Sequence, residues 1–179
     1  MRSRTDPVIV VDYDPLWPQA FELLRARLAG ALGDLAVAIE HVGSTAVPGL
    51  AAKPVIDIDV VLRSETDLPA AGSALATLGY DFIGDLGIAG REAFRAPAGE
   101  PEHNLYVCAA GATELQRHLT FRDVLRAEPE LAREYAELKR ALAERYRDDR
   151  DTYTEGKTPF VTRVLMNARS GDKRRLPRR

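Results

Sequence analysis

The chain has 179 residues, 45% of them hydrophobic, and a formal net charge of −2; this suits one domain with a sizeable core. No run approaches the ~20 apolar residues of a membrane helix, and no apolar signal region follows the short polar stretch Met1 to Asp6, so neither membrane insertion nor secretion is expected. Its one cysteine, Cys108, cannot form an internal disulfide, which fits a reducing cytoplasm.

Charge is unevenly spread. Residues 169–179 hold Arg169, Lys173, Arg174, Arg175, Arg178 and Arg179 against Asp172 alone, a net +5 that leaves the rest at about −7. A body that acidic is a poor general nucleic-acid binder. The tail reads as a solvated, disordered end, and 1–168 as one domain.

Val8 to Val11 is a β-branched run and predicts a first strand. Asp14-Pro15 predicts a helix start, an Asp cap with proline in the first turn. Phe21, Leu24, Leu28 and Leu32 then recur at helical spacing up to Gly33. Val37 to Val42 reads as a strand, followed by the turn Gly43-Ser44-Thr45 and a short helical turn ending near Pro48-Gly49. Val55 to Leu62 is apolar except for Asp57 and Asp59, the pattern of a central strand buried on both faces. Asp67 to Leu78 is helical, with Leu68, Ala71, Leu75 and Leu78 on one stripe. Tyr80 to Ile83, Glu92 to Ala96 and Asn104 to Ala109 read as three short antiparallel strands parted by Gly- and Pro-rich turns.

Beyond Gly111 the pattern turns helical. Thr113 and Gln116 have capping-box spacing, with Leu115, Leu119, Arg122 and Leu125 on one face. Pro129 opens a long helix striped by Leu131, Tyr135, Leu138, Leu142 and Tyr146. A last helix carries Val161, Val164, Leu165 and Ala168. The class is therefore α+β: a mixed sheet flanked by helices over about 8–110, then a helical half over about 112–168.

Asp57 and Asp59 carry most of the chemistry. Residues two apart on a strand share a face, roughly 6.6 Å apart at ~3.3 Å per residue. Two carboxylates converging on an interior strand repel each other and lose hydration. A divalent cation shared with substrate phosphates relieves both, and Mg2+ (or Mn2+) is bound this way. Lysine or arginine partners, or a solvated edge strand, would also relieve them.

The turn upstream adds weight. Gly43 allows close backbone approach, and the Ser44 and Thr45 hydroxyls with nearby amides can hold phosphate oxygens; an ordinary turn and helix cap is the plainer alternative. Twelve residues separate Ser44 from Asp57, room for a turn and a return into the next strand. Phosphates also call for cations. The candidates are Lys53, Arg91, Arg95, Lys139 and Lys157, each of which could instead serve in a surface ion pair. His41 reads as a hydrogen-bonded structural residue, and Tyr13, Trp17, Tyr135, Tyr146 and Cys108 as packing residues.

Apolar-Gly-Ser, a dozen residues and Asp-apolar-Asp together resemble the polymerase-β-like nucleotidyltransferase superfamily. More closely, the chain resembles the GrpB-like family assigned to that fold. The likeness runs through Val11-Asp12-Tyr13-Asp14-Pro15, Trp17-Pro18, Phe21, Glu40 to Leu50, Lys53-Pro54, Asp57-Ile58-Asp59, Phe121-Arg122-Asp123, Tyr135, Leu138-Lys139, Tyr153, Lys157 and Phe160. It implies a nucleotidyltransferase fold. It also implies a metal-dependent transfer of a nucleoside monophosphate from a triphosphate such as ATP or CTP to a small acceptor, with Asp57 and Asp59 catalytic. A non-catalytic nucleotide- or coenzyme-binding module is the alternative. Some related domains are fused to dephospho-coenzyme A kinase. One departure stands out: such enzymes place a third carboxylate on a neighbouring strand, and the family tends to have a His-Leu-His segment there. This chain has His103-Asn104-Leu105-Tyr106, in which Asn104 and Tyr106 are poor metal ligands.

Overall fold

The computed structural model describes residues 7–170. It contains a mixed five-stranded sheet in the order β1-β2-β5-β4-β3. The strands are β1 (Ala36–Val42), β2 (Ile56–Leu62), β3 (Asp81–Gly84), β4 (Arg91–Arg95) and β5 (His103–Ala109). β2 runs antiparallel to β1 and parallel to β5, and β4 pairs antiparallel with both β3 and β5, as the turn residues suggest. The helices are α1 (Trp17–Leu32), α2 (Leu68–Thr77), α3 (Thr113–Ala127), α4 (Pro129–Arg145), α5 (Arg150–Gly156) and α6 (Thr158–Arg169).

Strand alternation divides β2 into two chemistries. Ile56, Ile58, Val60 and Leu62 pack with Leu105 and Val107 of β5 against Phe21, Leu24 and Leu28 of α1 and Ala71 and Leu75 of α2. The opposite face carries Asp57, Asp59 and Val61, set beside Asn104, Tyr106 and Cys108 by the parallel register. Val61 and Cys108 bury against Leu115 of α3. Leu125, Leu131, Tyr135, Phe160 and Val164, from α3, α4 and α6, close over Val47, Leu50 and Ala51. The helical half therefore roofs the acidic face of the sheet and the loop that follows the Gly-Ser turn.

Several boundaries differ from expectation. Val8 to Val11 is not a strand: Val11 makes only an isolated bridge to Ala52, and Val8 bonds instead to the Arg147 carbonyl. β-branched residues favour extension, but a ladder needs a neighbouring strand. Asp14 does not cap α1. Its side chain accepts from the Leu16 amide at 2.9 Å in a local turn, and the helix starts at Trp17 with Pro18 in its first turn. Thr113 and Gln116 form no capping box, because Ala112 is the N-cap and Thr113 lies inside α3. Tyr146 falls just past α4 as its C-cap. α5 was not expected, since only Tyr153 in it is buried; its signal is Asp149, which caps the Thr152 amide at 3.0 Å. Of the basic tail, Arg169 is the last residue of α6, and 171–179 lie outside the described residues. Among the described residues no helix is long and apolar enough to cross a membrane.

Candidate active site

The Gly-Ser turn and Asp57 are in direct contact. Gly43 leaves β1 at φ +71° and ψ −167°, a conformation almost restricted to glycine. A Cβ built there would lie 2.2 Å from Asp57 Oδ2. The missing side chain is thus the space the carboxylate occupies, and the two sequence motifs are one feature in space. Asp57 Oδ1 accepts a 2.7 Å bond from Asn104 Nδ2, its neighbour in the parallel register. Burial pushes the Asp57 carboxyl above its ordinary range, opposed by the Asn104 hydrogen bond and by the charges of His118 and Lys53.

Asp59 sits deeper, 1% exposed. Its Oδ2 meets His118 Nδ1 at 2.7 Å, and its Oδ1 is buried with no hydrogen-bond partner among the described residues. Burial works against a charged His118, but the hydrogen bond and charge of Asp59 outweigh it and raise the imidazole pKa. Glu114 stands 3.5 Å from the other ring nitrogen. His118 escaped the sequence reading. Its signal was the polar stripe Glu114, His118 and Arg122, four residues apart along a helix otherwise read for its leucines. Arg122 uses the same face to bond Glu40 at 2.7 Å and the His41 carbonyl at 3.0 Å, tying α3 to β1.

A cavity of about 270 Å³ opens on this face. Ser44, Thr45, Lys53, Asp57, Asn104, Tyr106, Lys139, Arg150, Tyr153, Thr154 and Lys157 are among its walls. Of the expected site residues it gathers Ser44, Thr45, Lys53, Asp57, Lys139 and Lys157, drawn from β2, α4, the start of α6 and two loops. Lys157 and Lys53 stand over the Tyr153 ring at 4.7 and 5.5 Å. Burial, helped by the charge of Lys53, pushes the Lys157 pKa down to about 8. Lys139 is 2% exposed and bonds Ser44 Oγ at 2.9 Å and the Ala51 carbonyl. Its burial, with the charges of Lys157 and Arg140, pushes its pKa down to about 7.

The remaining candidates stand apart. Thr45 reaches the cavity wall, but its hydroxyl is committed inward, donating to the Val55 carbonyl at 3.3 Å and lying 3.0 Å from His41 Nε2. His41 stacks on Phe21 and burial pushes its pKa down to about 4, which fits the hydrogen-bonded structural residue expected of it rather than a base. Arg91, on β4, is not among the cavity walls; its guanidinium lies 4.2 Å from the Tyr106 ring centroid. Arg95 is far more exposed, 3.9 Å from Asp81, and does not line the cavity. Arg150 and Thr154 were missed because they belong to α5. A larger hollow of about 620 Å³ lies between Pro48, Gly49 and Ala51 and the α3–α4 surface, and none of the expected residues lines it.

The donor set admits a divalent cation in a limited way. Among the described residues no group of three or more His, Cys, Asp or Glu side chains is arranged to hold a metal ion by itself. The chain offers two carboxylates on one strand face, one with an unpartnered buried oxygen. Magnesium commonly takes one or two carboxylates and completes its shell from phosphates and water, so this set fits a cation carried in with a phosphate ligand.

The family model described as GrpB protein matches residues 7–167. The chain belongs to the GrpB family. It is 35% identical over 168 residues to the UPF0157 protein YqkA of Bacillus subtilis, covering 94% of this chain and 49% of YqkA. It therefore spans about half the length of that relative. A UPF0157 protein of Pseudomonas aeruginosa is 41% identical over 167 residues, covering 91% of this chain and 68% of the relative. A dephospho-CoA kinase of Mycolicibacterium paratuberculosis is 33% identical over 188 residues, covering 90% of this chain and 46% of the kinase. Among solved structures, conserved protein GrpB from Enterococcus faecalis superimposes with a TM-score of 0.82 at 32% identity, covering 91% of this chain and 98% of that one. The Cid1 poly(U) polymerase bound to Mg 3'-dATP superimposes with a TM-score of 0.55 at 14% identity, covering 88% and 50%. The GrpB family chain accordingly has the nucleotidyltransferase fold.

Proposed function

We propose that this chain binds a nucleoside triphosphate, ATP or CTP, with Mg2+ or Mn2+ in the 270 Å³ cavity. It then moves the nucleoside monophosphate to a small-molecule acceptor. The observation that carries this is the charge balance of the walls: Lys53, Lys139, Arg150 and Lys157 face a cavity whose lining includes one carboxylate, Asp57. A polyphosphate is the class of ligand that four basic side chains gathered around one cavity favour. The volume lies just below the ~300–1,000 Å³ of common ligand pockets, so it suits the phosphates, with sugar and base extending outward. The Cid1 structure with Mg 3'-dATP has the same fold, and the dephospho-CoA kinase relatives put a matching segment beside nucleotide chemistry.

In this reading Ser44 and Lys139 hold the terminal phosphates. Lys53, Lys157 and Arg150 neutralise charge along the chain of phosphates, which is the main demand of such transfers. Asp57 and Asp59 hold the cation. When bound, that cation adds Lewis-acid stabilisation of charge on the phosphate oxygens. Asn104, paired in register with Asp57 and donating to it, supports a second reading, a nucleotide- or coenzyme-binding module without turnover. No carboxylate on β5 is there to take the acceptor's proton.

Thermal melts with ATP and with CTP, each with and without Mg2+, test binding, because a ligand favouring the folded state raises apparent stability. A metal-dependent rise that disappears in Asp57→Asn/Asp59→Asn is expected. An unchanged rise in that double variant places the site elsewhere. Pyrophosphate release on addition of an acceptor distinguishes transferase from binding module.

A further inference from the structure

Ser44 and Lys139 have the geometry of a nucleophile and its base. Ser44 Oγ lies 2.9 Å from Lys139 Nζ on the cavity wall. Lys139 is almost wholly buried, yet no carboxylate bonds to it among the described residues. Its other contacts are the Ala51 carbonyl and the Tyr135 ring, 4.6 Å from Nζ to centroid. A buried lysine usually has a counter-ion, and one held without it is the kind that serves as a base. The Ala51 carbonyl plays the part of the third group, which fixes the base toward the nucleophile. With its pKa pushed down to about 7, Lys139 is neutral in a sizeable fraction of molecules at physiological pH.

Resting on the nucleotide reading above, we propose that Ser44 is a self-phosphorylation site: its hydroxyl accepts the terminal phosphoryl group of a bound nucleoside triphosphate, and Lys139 accepts the hydroxyl proton. The Oγ–P bond forms as the bond between the terminal phosphorus and its bridging oxygen breaks. That electron pair leaves with the nucleoside diphosphate. The proton passes to Lys139 Nζ, and the resulting ammonium stays beside the new phosphoester. Phosphoserine then places a dianion among Lys53, Lys139, Lys157 and Arg150, where the terminal phosphates sat, and closes the cavity to a second nucleotide.

The full chain is incubated with Mg2+ and ATP labelled at either the α- or the γ-phosphate, then denatured and mapped by mass spectrometry, with Mg-ATP binding followed in parallel by thermal melts. The γ label should stay on the peptide carrying Ser44, at up to one phosphoryl group per chain, and the α label should not. Ser44→Ala should retain no label. Lys139→Arg keeps the charge but cannot act as a base at neutral pH, and should slow labelling at least tenfold when the rate is taken per Mg-ATP-occupied chain, the occupancy being read from the melts of the same variant. Lys139→Gln is measured beside it, with circular dichroism to confirm folding. A folded Lys139 variant labelled as fast as the parent overturns the role of Lys139. A melting shift with no γ label, with label on another residue, or with retained α label overturns self-phosphorylation and leaves the binding reading standing. No shift and no label overturns both.

Discussion

Replacing Gly43 by alanine separates the two demands made on that position. The first is conformational: φ +71° with ψ −167° costs a residue with a Cβ ~1–3 kcal/mol. The second is steric, because the new Cβ would lie 2.2 Å from Asp57 Oδ2, 2.9 Å from its Cγ and 3.0 Å from its Cβ. Displacing the half-buried Asp57 carboxylate from its Asn104 bond adds an overpacking cost of ~1–3 kcal/mol. At ~2–4 °C per kcal/mol for a chain of this size, the melting temperature should fall by roughly 5–20 °C. Gly49→Ala is the control, since Gly49 also has positive φ, +78°, but nothing lies within 4 Å of its Cβ position. Thermal and urea denaturation of both variants, and of Gly43→Ala in an Asp57→Ala background, isolate the contact term. The Asp57→Ala background should recover about 1 kcal/mol or more of the Gly43→Ala loss. Equal losses at Gly43 and Gly49, with no such coupling, would refute direct contact between turn and carboxylate.

Other perturbations bear on the same face. His118→Ala leaves Asp59 buried without its partner and should cost about 2–4 kcal/mol at pH 6. The His118 pKa is raised above 6.5, so its contribution is complete below that pH and is lost as pH climbs through the raised value; urea midpoints of parent and variant should therefore converge with rising pH. Lys139 has the opposite sign. Between its depressed value of about 7 and the ordinary 10.5, the unfolded chain holds a proton the folded chain does not. Its contribution to stability then rises with pH by up to about 1.4 kcal/mol per unit, and Lys139→Met should lose that slope. Lys157→Ala should weaken tripolyphosphate binding by calorimetry about tenfold or more, whereas Arg95→Ala, outside the cavity walls, should leave it unchanged. Arg122→Ala should destabilise by about 2–3 kcal/mol in urea titration, since it leaves Glu40 and the His41 carbonyl without their donor.

Local pattern alone determined a good deal of this protein. The α1 stripe, the β2 run and the glycine-serine turn each depend on neighbours within a few residues, and periodicity reports such neighbours directly. The pairing of Asp57 with Asp59 on one strand face follows from a period of two, and β2 indeed buries its alternate residues against α1 and α2. Where propensity needed a distant partner it failed: Val8 to Val11 has the composition of a strand but only one bridge to complete it.

What each carboxylate meets was decided only by tertiary structure. His118 lies 59 residues from Asp59, and Lys139 lies 95 from Ser44; no local rule connects positions so far apart. The parallel register of β2 and β5 set Asn104 beside Asp57, a pairing made across α2 and two intervening strands. The cations were sorted the same way. Lys53, Lys139 and Lys157 converge because the helical half folds back over the acidic face, while Arg95, equally basic in sequence, ends a strand whose side chain faces water. A charge declares its sign in the sequence, but its burial and its partners exist only once the layers are packed.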